Sequence, residues 1–304
     1  MILIIKDLYD FVNAFKSTLL PTFTQMKINW NKHSFHTGWI TVLLFFTIQP
    51  YNLYVILTGQ FPLKLKNIFY IITLSYLIAV CQTVCHHRLY SHRSFKTNRV
   101  FAFILNYIGS IPLLTDGVFY ASLHRAHHIH CETDQDPYGG VKYGFLYNVI
   151  GLITNKDIWL MKNIKVAPDL IKLWENKMLF NLYWTPATSF VAMCSYLFGH
   201  YGFMFSLLCI NSSGFFVSIL GNLGHYVGKK NNEELVCEAR NASFLFGILS
   251  TGESYHANHH DIPWSANLGW YKHQPDVGYA FIKGLECLGL AHSIRHYSPK
   301  DKTN

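Results

Sequence analysis

Histidine occurs seventeen times in 304 residues, and eight of these fall in three short clusters. The first is His87-Arg88-Leu89-Tyr90-Ser91-His92, the second His124-Arg125-Ala126-His127-His128, the third His256-Ala257-Asn258-His259-His260. In the second and third, the histidines stand at i, i+3 and i+4. Those positions share one face of an α-helix, so a single turn aims three imidazoles at one point. The first cluster is spaced i, i+5, off one face at ~100° per residue, so at least one of its histidines is expected beyond a helix end, where the chain turns away. Neutral imidazole ligates zinc, copper, iron or nickel. Eight such donors exceed the need of one ion and suit two, with room for water or oxygen. A closed zinc site takes four ligands, and no Glu-x-x-His signature appears in two helices. A histidine-ligated di-iron centre is the best chemical fit. His33, His36, His86, His130, His200, His273, His292 and His296 are read as surface or hydrogen-bonded residues.

The elements that must carry these clusters are apolar. Half of the chain is hydrophobic and only 14% is charged, against about a quarter in soluble domains. Gly38 to Leu57 and Ile68 to Cys85 are uncharged runs long enough to cross a bilayer. Met178 to Gly224 holds no Asp, Glu, Lys or Arg over 47 residues, with a turn at Gly199-His200-Tyr201-Gly202. The expected fold is an all-α integral membrane protein, one domain over 1–304. Its spans are placed at about 38–57, 68–85, 179–198 and 203–224, with an interfacial or re-entrant helix over about 100–115. Residues 86–99, 116–177 and 225–304 then form a helical cap carrying all three clusters on one side. That side, with residues 1–37, holds 23 of the 25 Lys and Arg residues. The excess predicts cytoplasmic termini and a cytoplasmic site. It also accounts for the net charge of +8 without a nucleic-acid partner, since no zinc finger, basic helix or single-strand stacking motif occurs. Seven cysteines, an odd number without a CxxC, predict free thiols in a reducing compartment. The N-terminal MILIIKDLYDFVNAFK has early acidic residues and is not read as a secretory leader.

The clusters resemble the three histidine boxes of the membrane-bound fatty acid desaturases, of the Δ9 acyl-CoA type: HRxxxH, HRxHH and HxxHH, in that order. The resemblance covers about residues 38–292. It extends to Glu132-Thr133-Asp134-Gln135-Asp136-Pro137, similar to the family's ETDxDP, to Gly252-Glu253 before the third box, and to Leu288-Gly289-Leu290-Ala291. It implies a ninth ligand, His225, at the end of the last span. The family's Asn-x-x-x-His spacing would put a water-holding asparagine at 221, but Gly221 stands there and Asn222 follows. Before the second box, where the animal branch has charged residues that reach the coenzyme A head group, stand Ser122 and Leu123. That leaves the acyl carrier open between CoA and lipid. Ala257 replaces a usual asparagine without changing a ligand position.

The resemblance implies an O2-dependent acyl desaturase introducing a cis double bond, Δ9 by analogy. Its metal ligands would be His87, His92, His124, His127, His128, His225, His256, His259 and His260. Asp136 and Glu253 could accept imidazole N–H groups and fix ring orientation. Two iron ions with O2 as co-substrate would attack a methylene held in a bent apolar tunnel. The two electrons required would come from cytochrome b5 or a ferredoxin with its NAD(P)H reductase, because no flavin or nicotinamide fingerprint and no HPGG haem signature occurs. A membrane hydroxylase with the same metal site is the nearest alternative. A metal transporter would need charged residues along its spans, which these lack.

Overall fold

The uncharged runs become helices. The computed structural model describes residues 3–14, 16, 38–149, 165–234 and 237–299. Residues 17–37 of the predicted basic side and residues 150–164 of the predicted helical cap lie outside the described residues. Helix α1 spans Gly38–Leu57 and α2 spans Leu65–Gln82. Without a break, α2 widens into a π-helix over Thr83–Ser91. Helix α3, Arg99–Gly109, starts where the Asn98 side chain accepts from the Phe101 N–H. It stops three residues short of Pro112. Helix α4, Gly117–His130, is capped by Asp116, which accepts from Val118 and Phe119. Then come α5 (Gly140–Val149), α6 (Trp174–Asn181) and α7 (Thr185–Gly214). The chain runs on from α7 through a π-turn, Phe215–Leu220, and a short 3₁₀ turn, Leu223–His225. Last are α8 (Phe244–Leu249), α9 (His256–Asp261) and α10 (Val277–Cys287). No strand forms among the described residues, only isolated bridges such as Lys96 with His292.

Two helical stretches, Leu65–Ser91 and Thr185–His225, are long and apolar enough to cross a membrane. Their outward faces carry Phe69, Ile72, Leu77, Met193, Leu197 and Phe198, each close to half exposed or more. Large exposed apolar side chains on helices of this length suit a hydrocarbon surrounding, in keeping with a membrane-associated protein. The apolar run from 178 is divided: Trp174–Asn181 is its own helix, and α7 begins at Thr185 with Pro186 in its first turn, where a missing N–H costs nothing. Within α7, Gly199 takes φ 58 and ψ −143, a conformation that favours glycine. The chain reverses there, so that Gly202 lies against the Cys194 carbonyl.

Buried polar groups hold the helices together inside the apolar region. Asn52 donates to the Leu207 carbonyl at 3.1 Å, and Ser75 to that of Cys209 at 3.2 Å. Around them pack Val55, Ile71, Ile78, Phe190, Met204 and Leu208. A second core of Val84, Cys85, Leu105, Val118, Ala121 and Ile282 joins the π-helix, α3, α4 and α10 beneath the histidines.

One sequence expectation needs correction. Cys131 and Cys237 are not free thiols but are joined in a disulfide across 106 residues, with their Cα atoms 5.5 Å apart. Spacing could not show this, because the pair meets only through the fold. Cys81, Cys85, Cys194, Cys209 and Cys287 are free.

Candidate metal centre

Four segments deliver nine imidazoles to one place. The π-helix supplies His87, and His92 caps its end. In a π-helix the backbone bonds run i to i+5, and the His92 N–H donates to the His87 carbonyl at 3.2 Å. The wider turn thus brings together, edge to face at 5.0 Å, a histidine pair that an α-helix would splay. Helix α4 supplies His124, His127 and His128 in its last two turns, and the six-residue α9 supplies His256, His259 and His260. His225 ends the 3₁₀ turn after α7. It comes close because its neighbour Gly224 has no side chain: a Cβ there would stand 2.4 Å from that of His256.

The rings fall into two groups of four. His87, His92, His124 and His259 form one, and His127, His225, His256 and His260 the other, each with its nitrogens within 4.8 Å of one another. His128 stands between them, its Nε2 2.8 Å from that of His259 and its ring stacked on His260 at 4.4 Å. Other Nε2 pairs approach as closely: His87 with His259 at 3.0 Å, His256 with His260 at 3.0 Å, and His127 with His260 at 3.3 Å.

Partners on the far side of the rings set their direction. His127 donates from Nδ1 to Asp136 at 2.9 Å, with both side chains sealed from solvent. His225 Nδ1 donates to the Glu238 carbonyl at 2.9 Å, and His87 Nδ1 faces Glu253. His124 Nδ1 meets the Tyr138 hydroxyl at 2.7 Å, and His260 Nδ1 meets Cys237 Sγ at 3.2 Å. A ring that gives away its Nδ1 proton keeps its lone pair on Nε2. The convergent Nε2 lone pairs repel one another unless a cation lies among them. His92 Nε2 is buried with no hydrogen-bond partner among the described residues. The donor set therefore fits metal ions of the imidazole-preferring kind, one to each group.

Electrostatics agree. Burial, and then the neighbouring imidazoles, push His124, His128, His256, His259 and His260 well below the ordinary histidine value. They are neutral donors at physiological pH. Burial alone would raise the Glu253 carboxyl, but His87 and Arg88 hold it below its usual value. Burial works against Asp136 too, and His127 with the Tyr138 and Glu132 amides brings it down. Each carboxylate is thus kept charged against its ligand ring.

Arg88, 1% exposed, underlies the first group. It donates to Glu253 at 3.0 Å, to Asp276 at 2.8 Å, and to the Thr251 and Ala266 carbonyls at 3.0 Å. Asn222 donates from Nδ2 to the Ser218 carbonyl at 2.6 Å and lines the cavity beside the rings. Tyr138, Glu238, Cys237 and Asp276 are parts of the site that box spacing alone does not reveal. Tyr138 follows the ETDxDP-like stretch directly, and that proximity is the one sequence signal for it.

The centre opens on apolar space. His87, His124, His225 and His256 line a cavity of about 140 Å³ together with Phe119 and Leu123. A second cavity of about 550 Å³ lies between α1, α2 and the 210–219 segment, and Leu114, Val149 and Ser218 border both. Ser122 and Leu123 are buried; Ser122 donates to the Val118 carbonyl and accepts from Ala167.

Residues 66–275 match the family model described as fatty acid desaturase. Among curated proteins, the chain is 27% identical over 286 residues to the "Probable acyl-CoA desaturase" of Schizosaccharomyces pombe, covering 88% of this chain and 56% of that protein. It is 30% identical over 234 residues to the "Acyl-CoA C20 Delta5-desaturase" of Anemone leveillei, covering 72% of each. To the "sn-2 palmitoyl-lipid 9-desaturase" of Nostoc it is 27% identical over 234 residues, 75% of this chain and 80% of the relative. The chain spans little more than half the length of its yeast relatives.

Proposed function

Since the chain belongs to the fatty acid desaturase family, we propose that it is an O2-dependent acyl desaturase working at a pair of iron ions. The observation that carries this is the doubled four-histidine arrangement, bridged by His128, on the wall of an apolar cavity. Iron, when bound, would supply the activation of O2, which is itself the oxidant. The balance is a saturated chain, O2, two electrons and two protons giving a double bond and two waters.

The rest falls to this chain's residues. Two groups, His87/His92/His124/His259 and His127/His225/His256/His260, would each hold one ion, with His128 between them. Glu253 and Asp136 keep the His87 and His127 rings aimed inward. Neutral donors leave the positive charge of the ions uncompensated, which favours electron uptake. Phe119 and Leu123, which line the same cavity as the histidines, would exclude water and hold a methylene beside them, with the methyl end of the acyl chain running toward the second cavity.

The proposed bond position is Δ9. Its carrier is CoA or a lipid: relatives named for each exist, and buried Ser122 and Leu123 give a CoA head group no charged contact at this place. Cytochrome b5 or a ferredoxin would deliver electrons at the basic face. That face, with both termini, is placed in the cytoplasm, and the four apolar runs are placed across the bilayer.

The test is reconstitution in lipid with iron, a reductase and its electron carrier, using isotopically labelled stearoyl-CoA and a stearoyl phospholipid in parallel. The proposal predicts two irons per chain and a monounsaturated product from one of the two substrates. A hydroxylated product would replace desaturation with oxygenation. Iron retained without any product from either substrate would refute acyl oxidation.

A further inference from the structure

The His260 ring is held by an unusual partner. Where His127, His87 and His225 are each oriented by an oxygen, His260 Nδ1 lies 3.2 Å from the sulfur of Cys237. Cys237 is bonded to Cys131, which follows α4 one residue past its end. The disulfide therefore ties the helix carrying His127 and His128 to the segment behind His260. Cys131, Cys237, His127 and His260 bring all four of their ligand atoms within 4.8 Å. Both cysteines are partly exposed, so small oxidants and reductants reach them. Of the other five cysteines, Cys81, Cys85, Cys194 and Cys209 are buried, and Cys287 stands exposed and unbridged.

Disulfides on a cytoplasm-facing surface do not persist as structural staples, because the thiol pool reduces them; those found there are mostly redox-sensing or catalytic. The 5.5 Å Cα separation suits a bridge that forms without moving the backbone. We propose that Cys131 and Cys237 are a redox-active pair, oxidised by peroxide and reduced by dithiols, whose disulfide locks His127 and His260 in the second metal-binding group. Oxidation consumes one peroxide: one thiol is converted to a sulfenic acid with release of water, the second thiol attacks that sulfur, and a second water leaves. Reduction by a dithiol reverses the bridge, and the reductant becomes the disulfide. Cys237 is in this view a positioning residue. In the bridged state its sulfur is fixed behind the His260 ring. In the reduced state the tether between α4 and residues 237–240 is cut, and His260 loses a fixed partner. The inference rests on the geometry of the pair and on the cytoplasmic placement proposed above; it needs no acyl substrate, so its failure is distinguishable from failure of the desaturase reading.

The experiment uses the full chain in lipid nanodiscs loaded with cobalt(II), wild type beside a Cys131→Ser Cys237→Ser variant and a Cys287→Ser variant. Samples are reduced with dithiothreitol or exposed to a small molar excess of hydrogen peroxide, alkylated, and digested for mass spectrometry. Cobalt loss to a chelator is followed by absorbance. Expected are a peptide pair linked through Cys131 and Cys237 that forms with peroxide and disappears with dithiothreitol, in wild type and Cys287→Ser alike. Cobalt should leave the reduced protein roughly tenfold faster than the oxidised protein, the size of a lost orienting partner. The double-serine variant should lose it at one rate in both conditions. Alkylatable Cys131 and Cys237 after peroxide would overturn the pair. Equal cobalt loss from linked and reduced protein would overturn the lock. So would a thiolate-to-cobalt charge-transfer band in the reduced protein, which would make the cysteines ligands instead.

Discussion

Replacing Glu253 by glutamine separates aiming a ligand from holding the fold. Glu253 is buried between His87 Nδ1 on one oxygen and the Arg88 guanidinium, 3.0 Å away, on the other. Glutamine keeps the shape but removes the charge that makes His87 a stronger donor. Arg88 retains Asp276 at 2.8 Å and two carbonyls, so its own charge stays compensated. The cost should therefore fall on the metal: about 10–100-fold in affinity, or ~1.4–2.7 kcal/mol. Metal-free stability should fall by about 1.5–3 kcal/mol at most, one buried hydrogen bond to a charged group. Arg88→Met should behave oppositely. It strands two buried carboxylates and should cost about 3–5 kcal/mol of stability. The assay is competition for iron(II) or cobalt(II) against a chelator, beside thermal unfolding of the metal-free protein. Metal affinity equal to wild type in Glu253→Gln would refute the argument, whatever happened to its melting temperature.

Asp116 caps α4 while buried, and burial raises its carboxyl to about 6 despite the amides of Val118 and Phe119. A group raised in the folded state stabilises below its unfolded value of 3.8 and loses that contribution as pH rises through about 6. Asp116→Asn should then be the more stable protein at pH 8, by ~2–3 kcal/mol for a shift of about two pH units. Its advantage should shrink toward pH 5 in melting experiments. Asp116→Ala should lose about 1 kcal/mol of capping. Gly278→Ala places a Cβ 2.8 Å from the Arg88 guanidinium and should lower both melting temperature and metal retention. His86, fully buried beside a ligand but with its Nε2 toward the Asn106 carbonyl, is a control. His86→Gln should keep two metals per chain by elemental analysis, where His87→Gln should lose one.

The second and third boxes carry their geometry in their spacing, because i, i+3 and i+4 depend only on helical turns. The first box does not: whether residues 83–91 wind as α or π depends on what packs around them, and that choice decides whether His87 and His92 meet. Partners distant in sequence, such as Asp276 for Arg88 and Cys237 for His260, become visible only when the fold closes. The disulfide reversed a reading based on cysteine count for the same reason. Among the apolar runs, composition locates helices well but not their interruptions. Residues 182–184 break the run ahead of Pro186, a residue type that itself marks a helix start.

The most direct test of the central claim is fatty-acid profiling by mass spectrometry in a host without its own desaturase. The chain would be expressed with an electron donor, beside a His127→Ala His128→Ala variant that removes one ligand of the second group and the ring between the groups. The account predicts a new monounsaturated acid, with its double bond at Δ9, that vanishes in the variant while the protein remains in the membrane. An unsaturated acid that persists in the variant, or none from the iron-loaded wild type, would contradict it.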